Sequence, residues 1–360
     1  MNVFQYVSIY FNLIQMDVNL AIEKAVTFLV NARTRDNLWS DFDLPTGESD
    51  GWVTGYVGTI MSGIGDSTAF QAAKEAWMKH GAKHFFTGHG GWSFNRWSPE
   101  DGDSTAWGIR FAINLGLKDK LRTEVAEKFL FHHITTDGGV TTFILEKDLR
   151  NFLSARPDDD ISGWMGTHTC VTAAAAMVPS LNSRLAPWLQ KHQLPDGSWD
   201  AYWWPDPEYS TSLAIEALTL NNPVGYSTAI NKSVDYIIGK LNGKFYIGNG
   251  EFPNGSPFAT ALGLKILVLS GRYHELKEMI SSITLWLIGH QRIDGSWEPS
   301  AMLRVPPAKV TDASGFQDWN CGEALDWGTT TVDQHSTFTT STVVCALDLA
   351  MKFQSRWRKN

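Results

Sequence analysis

One cassette recurs along this chain and limits what it can fold into. Its clearest copies are Gln193-Leu-Pro-Asp-Gly-Ser-Trp199 and Gln291-Arg-Ile-Asp-Gly-Ser-Trp297, each following an apolar helical stretch. Weaker copies are Asp36-Asn-Leu-Trp39, Gly90-Gly-Trp92 and Asp137-Gly-Gly139. Each loop leads into a second helix rich in small residues; these open near Trp52, Ser104, Trp164, Ser210, Phe258 and Ser336. A repeat of about fifty residues that pairs two helices around a turn is a helical-hairpin unit. Strand signals are weak, whereas Ser104–Gly116, Thr169–Met177, Ser210–Leu220 and Phe258–Leu269 read as helices. Several carry small faces, such as Ala173 to Ala176, which suits helices packed on all sides.

Six hairpins can close on themselves, inner helices inside outer ones. The expected fold is therefore all-α, an α6/α6 barrel. An open solenoid is the competing geometry, but it needs polar caps and rarely uses so many rings as the 16 Trp, 19 Phe and 9 Tyr here. No linker or charge run interrupts the chain. Residues 1–360 are expected to form a single barrel domain, with an N-terminal helix over 1–18 and six hairpins over 19–360.

A formal charge of −8 argues against a nucleic-acid partner or a polybasic membrane contact. Cys170, Cys321 and Cys345 are odd in number and far apart, which gives no disulfide framework and points to a reducing cytoplasm. Val3, Tyr6, Val7, Tyr10, Phe11 and Ile14 fall at helical spacing with no Lys or Arg among them. That pattern reads as a packing helix rather than a signal peptide or a span. A weak membrane-surface contact is the alternative.

If the hairpins close, every second helix begins at the same end of the barrel, and the residues at those starts share one rim. Residues four apart share a helix face. The rim pairs are Trp52 with Tyr56, Asp103 with Trp107, Trp164 with His168, and His335 with Thr339, with Tyr209 and Phe258 as single rings. Such an aromatic cup suits an apolar ligand, or a reaction passing through positive charge. Asp103, before Ser104-Thr105-Ala106, has two readings. It makes a good N-cap, which would lower its pKa. Surrounding rings and the neighbouring Asp101 would instead hold it protonated, as a proton donor requires.

The stretch Gly90-Gly-Trp-Ser-Phe-Asn-Arg-Trp-Ser-Pro-Glu-Asp-Gly-Asp-Ser-Thr-Ala106 resembles the class II terpene cyclases of the squalene–hopene cyclase type, in which a glycine–aromatic loop leads into an Asp-x-Asp-Asp-Thr-Ala signature. The two Gln-x3-Gly-x-Trp segments look like that family's repeats. The resemblance implies an α6/α6 barrel, Asp101 as the first acid, and Asp103 as donor of a proton to an alkene or epoxide. Ser104 departs from the pattern by replacing the last acid, and the chain has room for one barrel where triterpene cyclases have two. His168 or His335 is expected to orient Asp103, and Trp52, Tyr56, Trp107, Trp164, Tyr209 and Phe258 to wall the substrate. No cofactor is expected.

Two other readings stay open. Asp318, Cys321 and His335 have the residue types of the zinc site in protein prenyltransferase barrels, but lack that family's tight Asp-x-Cys step. A non-catalytic barrel could bind a hydrophobic ligand or a protein, and a homodimer could close the cavity. Asp158-Asp-Asp160 reads as a solvated helix start, with a proton donor or metal–diphosphate site as its alternative.

Overall fold

The computed structural model describes residues 3–78, 89–117, 123–314 and 327–357, apart from the side chains of 3–15 and 354–357. Among the described residues, outer and inner helices alternate along the chain. The outer ones are α1 (Val3–Asn31), α3 (Ser67–Ala76), α5 (Thr123–His132), α9 (Pro179–Lys191), α11 (Ser227–Leu241) and α13 (Tyr273–Gly289). The inner ones are α2 (Gly51–Gly63), α4 (Gly102–Asn114), α8 (Thr169–Ala175), α10 (Glu208–Asn221), α12 (Pro257–Leu269) and α14 (Thr337–Trp357). Short helices α6 (Glu146–Leu153) and α7 (Ser162–Met165) occupy one connection. Packing runs from α2 through α4, α8, α10, α12 and α14 and returns to α2, so the inner helices form a closed ring. The expected all-α, α6/α6 barrel is the observed fold.

The inner helices are buried on every side, as their small residues demand: Pro257 to Val268 of α12 are buried throughout. Outer helices bury one stripe, such as Leu181, Leu185, Trp188 and Leu189 of α9. Two antiparallel ribbons lie over one end, β1 (Trp92–Ser93) with β2 (Glu100–Asp101) and β3 (Met302–Val305) with β4 (Thr329–Val332). The break expected at residue 18 is absent, because α1 runs unbroken and is itself the first outer helix. The six apolar side chains predicted on its first turns lie outside the described residues.

The recurrent cassette stitches neighbouring hairpins. The indole N–H of Trp199 donates to Leu189 O of the preceding outer helix (2.7 Å), and Gln193 donates to Ala229 O of the following one (2.8 Å). Trp297 repeats the first bond to Leu287 O (2.6 Å), while Gln291 reaches Ala21 O of α1 (2.8 Å), joining the last hairpin to the first. The glycine is obligatory. Gly197 and Gly295 have φ of 94° and 93°, and a Cβ at either would lie 2.3 Å from a backbone oxygen of the next outer helix.

A second repeated contact sets the register of all six hairpins. The fourth residue of each inner helix is threonine, and its hydroxyl accepts a backbone N–H from the preceding loop. The pairs are Trp39 to Thr54 (3.0 Å), Trp92 to Thr105 (2.9 Å), Val140 to Thr172 (2.8 Å), Trp199 to Thr211 (3.0 Å), Ile247 to Thr260 (2.9 Å) and Trp297 to Thr340 (3.3 Å). Each bond satisfies a buried donor that the turn cannot pair by itself.

Candidate active site

The threonine register fixes which residues are equivalent. Two positions before each threonine stand Trp52, Asp103, Cys170, Tyr209, Phe258 and Phe338. Four of these are aromatic and converge on Trp204. Its ring centroid is 4.2 Å from Tyr209, 5.3 Å from Phe258, 5.5 Å from Phe338 and 6.0 Å from Trp52. Asp103 takes the place of a ring in this circle. Above it opens a cleft of about 660 Å³, its mouth included, at the N-terminal ends of the inner helices. Its walls include Phe94, Phe143, Trp164, Trp203, Trp204 and Leu303, and Asp101, Asp103 and Ser104 also line it.

Asp101 and Asp103 sit close together in different environments. Asp101 comes off β2 with extended backbone and caps α4: its Oδ1 accepts Ser104 N–H (2.7 Å) and its Oδ2 the Ser104 hydroxyl (2.6 Å). Burial pushes its pKa up to about 7 against these bonds. Asp103 lies inside the first turn and does not cap; the capping role weighed for it belongs to Asp101. Its Oδ1 is buried without a hydrogen-bond partner. Desolvation, then the neighbouring Asp101, raises its pKa well above the usual carboxylate range, and the indoles of Trp52 and Trp107 pull the other way. The result is a carboxyl group that holds its proton to higher pH than an ordinary aspartate does.

The two histidines stand elsewhere. The carbonyl of Gly163 can only accept, so His168 Nε2 donates to it (2.9 Å), and Nδ1 then accepts the Thr142 hydroxyl (2.7 Å). The ring stacks on Tyr202 (3.8 Å), and burial pushes its pKa down to about 3. His168 is therefore a neutral strut whose nitrogens are both engaged, not an orienter of Asp103. His335 is exposed and meets Glu48 (3.3 Å), away from the cleft. The expected rim equivalence failed at these two hairpins because the third inner helix begins at Thr169 and the sixth at Thr337. The register there selects Cys170 and Phe338.

Of the expected wall, Trp52 and Trp164 line the cleft. Trp164 donates its indole N–H to Pro306 O (2.8 Å) and meets Trp203 edge-on (5.4 Å). Tyr209 and Phe258 lie beneath, as supports of Trp204. Tyr56 and Trp107 are among the residues lining a separate polar hollow at the far ends of the inner helices, with Arg110, Glu216 and Lys265. Trp203, Trp204, Phe143 and Phe152 were missed because they sit on loops and on α6, where helical spacing gives no signal. The Asp158–Asp160 cluster is a surface turn in which Asp159 pairs with Arg156 (2.9 Å) and Asp160 accepts Ser162 N–H (2.9 Å). Among the described residues no three His, Cys, Asp or Glu converge on a metal position, and Asp318 and Cys321 lie outside them. No described helix is long and apolar enough to cross a membrane.

A closed helical barrel that sets a carboxyl group of raised pKa against an aromatic cleft defines a class of enzyme, one that starts a reaction by protonating an apolar substrate. No family model matches the chain, nor does any curated protein. Solved structures do. The type II terpene cyclase MstE from Scytonema, in complex with geranylgeranyl dihydroxybenzoate as its substrate, is 33% identical with a TM-score of 0.88, over 94% of this chain and 99% of that one. MstE has also been solved with merosterolic acid A as product. A protein from Actinoplanes is 34% identical with a TM-score of 0.85, over 92% and 99% of the two chains. An ent-copalyl diphosphate synthase from Streptomyces platensis shares the fold alone, at 16% identity and a TM-score of 0.57. The chain belongs to the type II terpene cyclases, enzymes that cyclise isoprenoid substrates by acid initiation.

Proposed function

We propose that Asp103 is the proton donor, that Asp101 is the anion that keeps it protonated, and that the substrate is a polyprenyl chain bearing a small polar head. Geranylgeranyl dihydroxybenzoate, which MstE binds, is the model for such a molecule. One observation carries the reading: a carboxyl group with one buried oxygen left unpaired, its pKa raised by burial and by Asp101, faces a cleft walled by rings. The Asp103 O–H bond breaks as a C–H bond forms at one alkene carbon, leaving the other carbon cationic. Neighbouring alkenes add in turn, each forming a C–C bond and passing the charge on. Loss of a proton from carbon ends the sequence, so the product is an isomer of the substrate. The faces of Trp164, Trp203 and Trp204 attract the travelling charge without capturing it. The described lining residues include no Lys or Arg, which suits a chain rather than a diphosphate at this depth.

The reading uses no cofactor. Dialysis against EDTA should leave turnover unchanged; loss of activity restored by zinc would favour the prenyltransferase-like alternative. Among the described residues the thiols of Cys170 and Cys345 are free, which fits a reducing cytoplasm. The decisive experiment incubates wild type and Asp103→Asn with geranylgeranyl dihydroxybenzoate and follows products of unchanged mass by chromatography. A folded Asn variant with full turnover would sink the proposal.

A further inference from the structure

We infer that the indole N–H groups of Trp52 and Trp107 form the cradle for the carboxylate that Asp103 becomes when it gives up its proton. This rests on Asp103 being the donor, as proposed above.

A proton donor is only as good as the provision made for its conjugate base. In this chain the signature's last acid is replaced by Ser104, which is turned to Asp101. His168 and His335 are engaged elsewhere. What remains beside Asp103 is a pair of indole donors, with the buried, unpaired Tyr209 hydroxyl next to Trp107. Trp107 is one helical turn on, on the same face of α4. Trp52 occupies the equivalent position on the adjacent helix α2. Both N–H groups are buried and act on the Asp103 carboxyl group as donors that lower its pKa, yet neither closes a bond of good geometry, and the Asp103 carboxyl oxygen Oδ1 is equally unpaired. Buried donors are rarely left so. Orphaned donors set around an orphaned carboxyl oxygen mark a place prepared for a charge that is not yet there.

The ring contacts support the same division of labour. Trp52 spends its π surface on near-parallel contacts with Phe338 (4.9 Å, 26°) and Phe94 (6.3 Å, 19°). Trp107 carries the Arg110 guanidinium 4.4 Å from its centroid and meets Tyr56 edge-on at 4.6 Å. A face that already holds a cation is poorly placed to stabilise a second one. These contacts fix both indoles and leave the N–H edges for Asp103. Guanidinium over the Trp107 ring also withdraws electron density from it and strengthens its N–H as a donor. Donors aimed in advance at developing charge need no rearrangement during the reaction. Trp52, at the cleft's edge, and Trp107, beneath it, are thus positioning residues that act through Asp103.

The test replaces each tryptophan in turn with β-(3-benzothienyl)alanine, which keeps the ring and puts sulfur where the N–H was. The carboxyl group of Asp103 is titrated by carbon-13 NMR in aspartate-labelled protein, its signal assigned by loss in Asp103→Asn. Turnover of geranylgeranyl dihydroxybenzoate is measured alongside. Removing a donor to the carboxylate should raise the Asp103 pKa by a unit or more and lower kcat at least tenfold, with KM within twofold. Should one variant misfold, the other carries the test. Unchanged pKa and kcat in the folded variants would overturn the inference. So would a rise in KM that accounts for the whole loss. The titration needs no turnover, so it separates this inference from the donor assignment, which stands or falls with Asp103→Asn.

Discussion

Ser104 gives both of its donors to Asp101, the backbone N–H to Oδ1 at 2.7 Å and the hydroxyl to Oδ2 at 2.6 Å. The position where the family signature carries a further acid is used here to hold an anion by hydrogen bonding. Burial already lifts Asp101 to about 7 against those bonds, so without them it would hold its proton through neutral pH. The negative charge that helps keep Asp103 protonated would then be lost.

Ser104→Ala removes the hydroxyl and leaves the N–H cap. Stability in urea should fall by about 1 kcal/mol, the usual net worth of one such bond. Asp101 should hold a proton more tightly, its charge should act less on Asp103, and kcat should drop about tenfold in steady-state assays near neutral pH. Ser104→Thr restores the hydroxyl and should recover most of the activity. An alanine variant with wild-type kcat would separate Asp101 from the chemistry.

Asp103→Asn should stabilise the fold in a pH-dependent way. The folded enzyme holds the Asp103 proton well above the pKa of 3.8 at which the unfolded chain releases it. Over that window the native state binds more protons, so wild-type stability falls as pH rises. Asparagine carries no such dependence. The advantage of the variant should be small near pH 4 and grow toward pH 8, by at most about 1.4 kcal/mol per pH unit. Thermal unfolding at pH 4.5, 6 and 8 measures it. A constant offset would mean that the carboxyl group is ionised in the folded enzyme.

His168→Asn separates a strut from a catalyst. The ring links Thr142 to Gly163 and stacks on Tyr202, and Thr142 also accepts the indole N–H of Trp203 at 2.9 Å. Tm should fall, and KM should rise as Trp203 loosens, while the pH profile of kcat keeps its shape. With a folded-state pKa of about 3 against 6.5 unfolded, the neutral ring contributes stability that is present above pH 6.5 and lost as pH falls toward 3. The Tm deficit should therefore be widest near pH 7. A displaced pH profile of kcat would return His168 to the mechanism.

The barrel was legible because the Gln-x3-Gly-x-Trp cassette is repeated and its glycine admits no side chain. Asp103 was legible as an acid at a helix start among rings. At two hairpins general composition does not mark the helix start: it points to Trp164 and His335, whereas the inner helices begin at Thr169 and Thr337. A sharper marker was present in the sequence. Trp52-Val-Thr-Gly55, Asp103-Ser-Thr-Ala106, Cys170-Val-Thr-Ala173, Tyr209-Ser-Thr-Ser212, Phe258-Ala-Thr-Ala261 and Phe338-Thr-Thr-Ser341 all place a threonine two residues after the rim position. Its meaning emerges only once the loop N–H groups are seen to end on those hydroxyls. The upper cleft, from Phe143 to Trp203, comes from loops whose convergence depends on ring closure and leaves no period in the chain.

Thr211→Val tests that register directly. The hydroxyl accepts the N–H of Trp199, a fully buried residue whose indole is already committed to Leu189 O. Valine keeps the shape and removes the acceptor, leaving a buried donor unpaired at a cost of about 1–3 kcal/mol. Thr54→Val and Thr260→Val should cost similar amounts for the same reason, and the matching serine variants should restore most of it. None of these three should change kcat by more than a few-fold, because their loops do not carry the donor. Thr105→Val is different: its hydroxyl receives Trp92 N–H and donates to Asp101 O at 2.6 Å, at the start of the helix that positions Asp103. It alone of the four should lose both stability and turnover. Urea unfolding and steady-state kinetics on the set would check both halves, and equal kcat losses at all four threonines would show that general loosening of the barrel, not the register at Asp103, controls the reaction.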